Sequence, residues 1–309
     1  MTHRSWLWLL LVGCAEERTP CERAPEWHVP TTFTLHAALI RSALDGSIVV
    51  FDGGQLIRIS RDGAIGAMAP VGTEASAEPS GLEVDDLGGP VLLFPAESSE
   101  MKARLRGFDA AFSQKWMRTS YDYIGEFATG PAGDTAFWAG PIGLHCVEGS
   151  GMDRWAVPET DSPMRLTRTG ELFLFDVGER GNGPSVPSTT KRRHLSSSGV
   201  VISEREIPFP YYDLGDQVLE RDGGVVFVDG PYRSDITRIG SSGDVVWKQP
   251  IQTSAESLFV IPNGDILAIT SERTRVARLA GATGEITASH DTCGDPTSQE
   301  LIVAGDDTG

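Results

Sequence analysis

Val218-Leu219-Glu220-Arg221-Asp222-Gly223-Gly224-Val225-Val226-Phe227-Val228 is followed, after a turn-rich stretch, by Ile236-Thr237-Arg238-Ile239-Gly240-Ser241-Ser242-Gly243-Asp244-Val245-Val246-Trp247. The first half reads as strand, Asp-Gly turn, strand; the second as strand, Ser-Gly turn, strand. Both residues of such turns tolerate positive φ, which makes them the strongest short hairpin signals. Four antiparallel strands in this order make one meander sheet.

The phrase recurs. First turns fall at Asp45-Gly46, Gly88-Gly89, Gly133-Asp134, Thr169-Gly170, Asp222-Gly223 and Asn263-Gly264. Second turns fall at Asp62-Gly63, Asp109-Ala110, 149–151, Ser198-Gly199, Ser242-Gly243 and Thr283-Gly284. Each first turn leads into a run apolar on both faces, such as Ile48-Val49-Val50-Phe51 or Leu172-Phe173-Leu174-Phe175, as expected of strands sandwiched between neighbouring sheets. The strand before each second turn is expected to be a half-exposed outer strand, as in Leu56-Ile57-Arg58-Ile59. Units of about 40 residues holding four strands specify an all-β chain, a β-propeller of four-stranded antiparallel blades. Six units are counted, at roughly 37–71, 81–117, 124–157, 164–207, 216–250 and 255–290. The apolar segments 31–35 and 299–304 leave a composite seventh blade open. The Asp residues of the turns are read as turn chemistry rather than as metal ligands.

The 309 residues include 43 acidic and 26 basic side chains, a formal charge of −17. Phosphate backbones and anionic headgroups repel such a chain, so nucleic acid is excluded as a partner, and a membrane is reached through an anchor only. The anchor is read at the start. His3 and Arg4 precede the apolar run 6–12, too short to span a bilayer, and Gly13-Cys14 follows. Leu11-Val12-Gly13-Cys14 resembles the bacterial lipobox. That resemblance implies a signal peptide over 1–13, acylation of Cys14 and, since residue 15 is Ala and not Asp, an outer-membrane address facing the periplasm or the cell surface. Residues 14–30 then form the lipidated Cys and a flexible tether, and 31–309 a single propeller domain. Of the other cysteines, Cys21 and Cys293 flank the repeats and are expected to form a disulfide as the ring closes, leaving Cys146 a buried thiol.

The second hairpins resemble the repeat of quinoprotein-like (PQQ-binding-like) propellers, in which Trp follows the turn glycine by four residues. Gly151 is followed by Trp155 and Gly243 by Trp247; Trp116 holds the same place after Phe112, which replaces the glycine. Each Trp is expected to bury on the order of 150–250 Å² between sheets. Related lipid-anchored propellers serve in envelope assemblies. The resemblance therefore implies a non-catalytic binding or assembly module with an envelope protein as partner; no cofactor is assigned, with calcium left open. Two alternatives are a PQQ-dependent oxidoreductase and a calcium-dependent lactonase-like hydrolase. The chain has no vicinal Cys pair for the first and only two Asn, Asn182 and Asn263, for the second. No catalytic or metal-ligating residues are assigned. His145 and Cys146, adjacent on a strand, point to opposite faces. Lys191-Arg192-Arg193 is read as a solvated run.

The candidate binding face is the side of the disc that carries the middle loops and the blade-to-blade connections. All five tyrosines fall in those segments: Tyr121, Tyr123, Tyr211, Tyr212 and Tyr232. Asp122, Asp161, Arg180, Asp213 and Arg233 map to the same side. Tyrosine offers apolar area and a hydroxyl at low entropic cost, which suits recognition.

Overall fold

The computed structural model describes residues 39–72, 78–96, 102–121, 123–140, 143–158, 164–177, 190–207, 217–220, 222–229, 235–251, 255–260, 264–270 and 275–291. They form six four-stranded antiparallel sheets, the blades of a six-bladed β-propeller. The first blade is β1 (Leu39–Ser42), β2 (Ile48–Asp52), β3 (Gln55–Ile59) and β4 (Ile65–Pro70). The second is β5 (Gly81–Val84), β6 (Pro90–Phe94), β7 (Ala103–Phe108) and β8 (Gln114–Tyr121). The third is β9 (Tyr123–Thr129), β10 (Thr135–Gly140), β11 (Gly143–Val147) and β12 (Asp153–Val157). The fourth is β13 (Met164–Leu166), β14 (Leu172–Val177), β15 (Thr190–Leu195) and β16 (Val201–Ile207). The fifth is β17 (Gln217–Leu219), β18 (Val225–Asp229), β19 (Asp235–Ile239) and β20 (Val245–Pro250). The sixth is β21 (Ala255–Val260), β22 (Ile266–Thr270), β23 (Arg275–Leu279) and β24 (Ile286–Asp291). One 3-10 turn, Pro131–Gly133, is the single helical element among the described residues, and no helix there is long and apolar enough to cross a membrane. The segments 31–35 and 299–304 lie outside the described residues.

Burial explains the order. The second strands β2 and β6 are buried at every position, while outermost β16 is exposed at six of seven. Alternation sends the two faces of one strand to two neighbours. Leu92 and Phe94 of β6 pack with Val49, Phe51 and Leu56 of the first blade. Val91 and Leu93 pack with Phe137, Ala139 and Val147 of the third. The third strands differ from expectation. β3 is mostly buried, because a fourth strand lies outside it and covers it.

The turns are built alike. At each first turn a glycine sits at positive φ, between 76° and 87° from Gly46 to Gly264. In the second and fourth blades the residue that opens the turn caps it: Asp85 Oδ1 accepts the N–H groups of Leu87 and Gly89, and Thr167 Oγ1 those of Thr169 and Glu171. Second turns use the same device, Asp109 Oδ1 accepting from Ala111 and Ser113. There the left-handed position is glycine in five blades and Phe112, at φ 65°, in the second. A register shift follows at Ile57/Ile59, Gly107/Phe108, Cys146/Val147, Arg238/Ile239 and Arg278/Leu279, the bulge that accompanies a left-handed turn residue.

The chain divides into two compact units, one of residues 29–176 with 193–204, the other of 177–192 with 205–309. In the first, Trp116 packs on the second turn of the third blade: a Cβ built on Gly151 would lie 2.4 Å from Trp116 Cβ. Trp155 packs likewise on Gly199 and donates its indole N–H to Ser197 O at 2.9 Å. In the second unit, Trp247 packs on Gly284 and donates to Gly281 O at 2.7 Å. The apolar seams expected from the three tryptophans are present, and their targets are the left-handed glycines of the following blade.

Candidate functional site

Charge is organised on the frame. Five blades tie the first turn to an outer strand by an acid–base pair. Glu220 takes Arg238 through both oxygens, at 2.7 and 3.0 Å. Asp265 holds Arg278 at 2.8 Å, Asp134 holds Arg154 at 2.6 Å, and Glu171 meets His194 Nε2 at 3.1 Å. Asp45 lies 3.8 Å from Arg58. Burial raises the carboxyls of Glu220 and Asp134 above the ordinary range, and their arginines oppose that rise. In the second blade Gly107 stands where Arg58 and Arg238 stand, leaving room for Trp116; a Cβ there would fall 2.2 Å from Trp116 Cε2. Asp85 in that blade keeps only its turn N–H groups as hydrogen-bond donors, and burial raises its carboxyl. The turn chemistry read from the sequence is present; the ion pairs built on it are an addition, visible only once strand partners are known.

A second set of arginines crosses to the next sheet. Arg58 donates to Gly88 O, and Arg118 to Gly151 O and, at 2.9 Å, to Asp153. Arg205 donates to Ser242 O and Asp244, and Arg238 to Gly281 O. Lys191-Arg192-Arg193 departs from its reading as a solvated run. It forms half of the third strand β15, so alternate residues face inward, and Arg192 is buried. Its guanidinium donates to Gly223 O, Gly240 O and Ser241 O at 2.8, 3.2 and 2.6 Å. Three carbonyls supply what water would.

The first strands β1, β5, β9 and β13 neighbour one another in the first unit. Glu83 of β5 lies between two guanidiniums, Arg41 Nε of β1 at 3.4 Å and Arg165 Nη1 of β13 at 3.6 Å. Nothing in the repeat signalled this group, since the three residues occupy equivalent places in three different units.

Of the candidate binding face, Tyr121 ends β8 and Tyr123 begins β9. Tyr123 is 55% exposed and meets Trp138 edge-on at 5.5 Å. Asp122, Asp161, Arg180, Tyr211, Tyr212, Asp213, Tyr232 and Arg233 lie outside the described residues, as do Cys14, Cys21 and Cys293. Cys146 is a buried free thiol on β11, its pKa pushed up to about 12 by burial. His145 stacks on Phe137 at 5.5 Å, and burial lowers its pKa.

No protein-family model and no curated protein sequence matches the chain significantly. Solved structures do. A streptogramin B lyase is similar at 17% identity and TM-score 0.54, over 83% of each chain. A catalytically inactive virginiamycin B lyase from Staphylococcus aureus, solved with quinupristin, is similar at 17% identity and TM-score 0.53, over 82% of this chain and 83% of that one. A chain of a mitotic checkpoint complex is similar at 8% identity and TM-score 0.55, over 97% of this chain and 91% of that one. At these identities the likeness is one of fold.

Proposed function

We propose that this chain is a lipid-anchored β-propeller of a bacterial envelope, of the quinoprotein-like repeat type, that binds or assembles a protein partner and does no chemistry itself. The observation that carries the reading is where the charge goes. Asp134, Glu220 and Asp265 are bound to arginines of their own blades, and Arg118, Arg192, Arg205 and Arg238 to carbonyls of the next. Charges fixed in this way tie each blade together and to the next, and are not held ready for proton transfer. A rigid scaffold leaves its loops to do the recognition. The fold does not choose a function, since similar propellers include a lyase and a member of a checkpoint complex. The choice rests on the lipobox-like Leu11-Val12-Gly13-Cys14, on the Trp repeat and on this charge arrangement.

The test uses the full chain in its own cells. Wild type is expected in the outer-membrane fraction, and Cys14→Ser in the soluble fraction. Cross-linking of wild type should capture a discrete envelope protein, and the joint replacement of Tyr121, Tyr123, Tyr211 and Tyr212 by Ser should abolish capture with melting unchanged. Membrane association that ignores Cys14 overturns the anchor. Calcium-dependent turnover of lactones by the purified protein overturns the non-catalytic reading.

A further inference from the structure

Two arginines of this molecule show what full pairing looks like. Arg192 donates to three carbonyls, and Arg238 to a carboxylate through two nitrogens and to a carbonyl. Arg165 is held more weakly than these. Its closest partner is Glu83 at 3.6 Å, beyond hydrogen-bond length, and its buried Nε has no acceptor. Arg41 spends Nε on Glu83 at 3.4 Å and Nη1 on the carbonyl of Ile40. Both side chains reach solvent, Arg41 by half and Arg165 by a quarter.

Position explains the convergence. Arg41, Glu83, Ala128 and Arg165 each stand two residues before the residue that opens the first turn, so four neighbouring first strands bring them to one level of the wall. Ala128 is too short to come between Arg165 and Glu83. Two guanidiniums share one carboxylate through single long contacts, so one positive charge is left over. The forked donors that would pair with a second carboxylate stay unused.

We propose that Arg41 and Arg165, set around Glu83, form a binding site for a monoanionic carboxylate. One such group balances the excess charge and accepts from the guanidinium fork. A phosphate dianion would overshoot the balance beside Glu83 and is disfavoured. The carboxylate can belong to a small acid or to an acidic side chain of a protein, so the site does not depend on the assembly reading. The next carboxylate along the wall, Glu126 of β9, provides an internal control.

The test follows the arginine Nε–Hε signals of the full-length protein by NMR at low salt. One arm titrates acetate. The other titrates an end-capped peptide with one Glu, with the same peptide carrying Gln as its blank. Signals that vanish in Arg41→Gln and Arg165→Gln identify the pair. They should shift saturably with at least one probe and not with the blank or equal chloride. Response to acetate assigns a small-acid site; response to the peptide alone assigns a protein side chain. Arg165→Gln should weaken binding about tenfold. Glu83→Gln should strengthen it several-fold, because the internal competitor is gone, and Glu126→Gln should do so much less. No saturable shift with either probe overturns the site. So does an equal gain from Glu126→Gln, which would mean diffuse charge, and so does tighter binding of inorganic phosphate.

Discussion

The seam between the second and third blades and the seam between the first and second solve one problem from opposite sides. In the former, Trp116 reaches forward onto Gly151, whose missing side chain leaves the room. In the latter, the position of the tryptophan is Ala67, and the position of the glycine is Phe112. The large side chain has changed sides. Phe112 is buried and folds back among Val49, Leu56 and Leu82, with Arg58 5.4 Å above its ring. It accepts a left-handed backbone to do so, a conformation that costs an L-residue about 1–2 kcal/mol. What the repeat preserves is therefore the filled volume at the seam and not the residue that fills it. Within the second unit a third solution appears. Arg205 and Ile207 approach Gly243, with Arg192 on the carbonyls beside it.

Truncating the forward-reaching residue should do most damage. Trp116→Ala should lower unfolding free energy by about 3–5 kcal/mol, as should Trp247→Ala. Gly151→Ala should cost about 3 kcal/mol, since it meets Trp116 and needs φ 82°. Urea midpoints measure all three. Losses below about 1 kcal/mol would mean that the tryptophans do not hold the seams.

The polar seam should answer differently. Equivalent positions in the first three blades carry Leu56, Leu105 and Leu144, so Arg192→Leu is a test of whether an apolar residue can serve here too. It takes the Arg192 donor from the carbonyls of Gly223 and Ser241 and leaves Gly240 O with only the turn N–H of Gly243, and should cost about 2–4 kcal/mol. Indifference to this change would show that the carbonyls find other donors.

The exchange of sides predicts a coupling. Ala67→Trp alone collides with Phe112, and Phe112→Gly alone opens a gap. Made together they rebuild the pattern of the seam between the fifth and sixth blades, in which Arg238 lies opposite Trp247 as Arg58 would lie opposite the new Trp. The double variant should be more stable than the sum of the singles by about 2 kcal/mol in a double-mutant cycle. Strict additivity would refute a shared volume.

How much of this was legible follows the same division. Blade limits read as 37–71, 164–207 and 255–290 are observed as strands spanning Leu39–Pro70, Met164–Ile207 and Ala255–Asp291, because turns are local chemistry and glycine at positive φ leaves a mark in sequence. The tryptophan seams were legible for the same reason, and Phe112 was visible as an oddity without its cause, since Ala67 lies a blade away. Arg192 was misread because three consecutive cations look solvated until the strand's alternation and the three carbonyls are known. Arg41, Glu83 and Arg165 were not legible at all, since they meet only when three first strands are set side by side. The recognition face read from Tyr211, Tyr212 and Tyr232 stays a sequence expectation; Tyr123, exposed against Trp138, is its described part.

The smallest expected effect separates two first-turn acids. Glu220 has Arg238 on the third strand of its blade; Asp85 has none, because Gly107 gave that place up to Trp116. Asp85 is nonetheless buried, which raises its carboxyl, with the N–H groups of Gly89 and Leu87 only partly offsetting the rise. A carboxyl whose folded pKa lies above its unfolded value contributes stability below the unfolded pKa, about 3.9, and loses it as pH rises through the folded pKa. At neutral pH the charge of Asp85 therefore works against the fold. Asp85→Asn keeps an Oδ1 acceptor for both N–H groups and removes the charge. It should stabilise by up to about 1 kcal/mol at pH 7.5, and the gain should fade toward pH 4 as the wild-type carboxyl takes up its proton. Burial raises Glu220 as well, but Glu220→Gln should show the opposite sign at pH 7.5, because Arg238 uses both oxygens and an amide offers only one acceptor. Urea midpoints of the three proteins at both pH values decide it. A loss of stability in Asp85→Asn that is larger at pH 7.5 than at pH 4 would mean that attraction to Arg58 and Lys115 outweighs burial, and that the unpaired turn is held by charge after all.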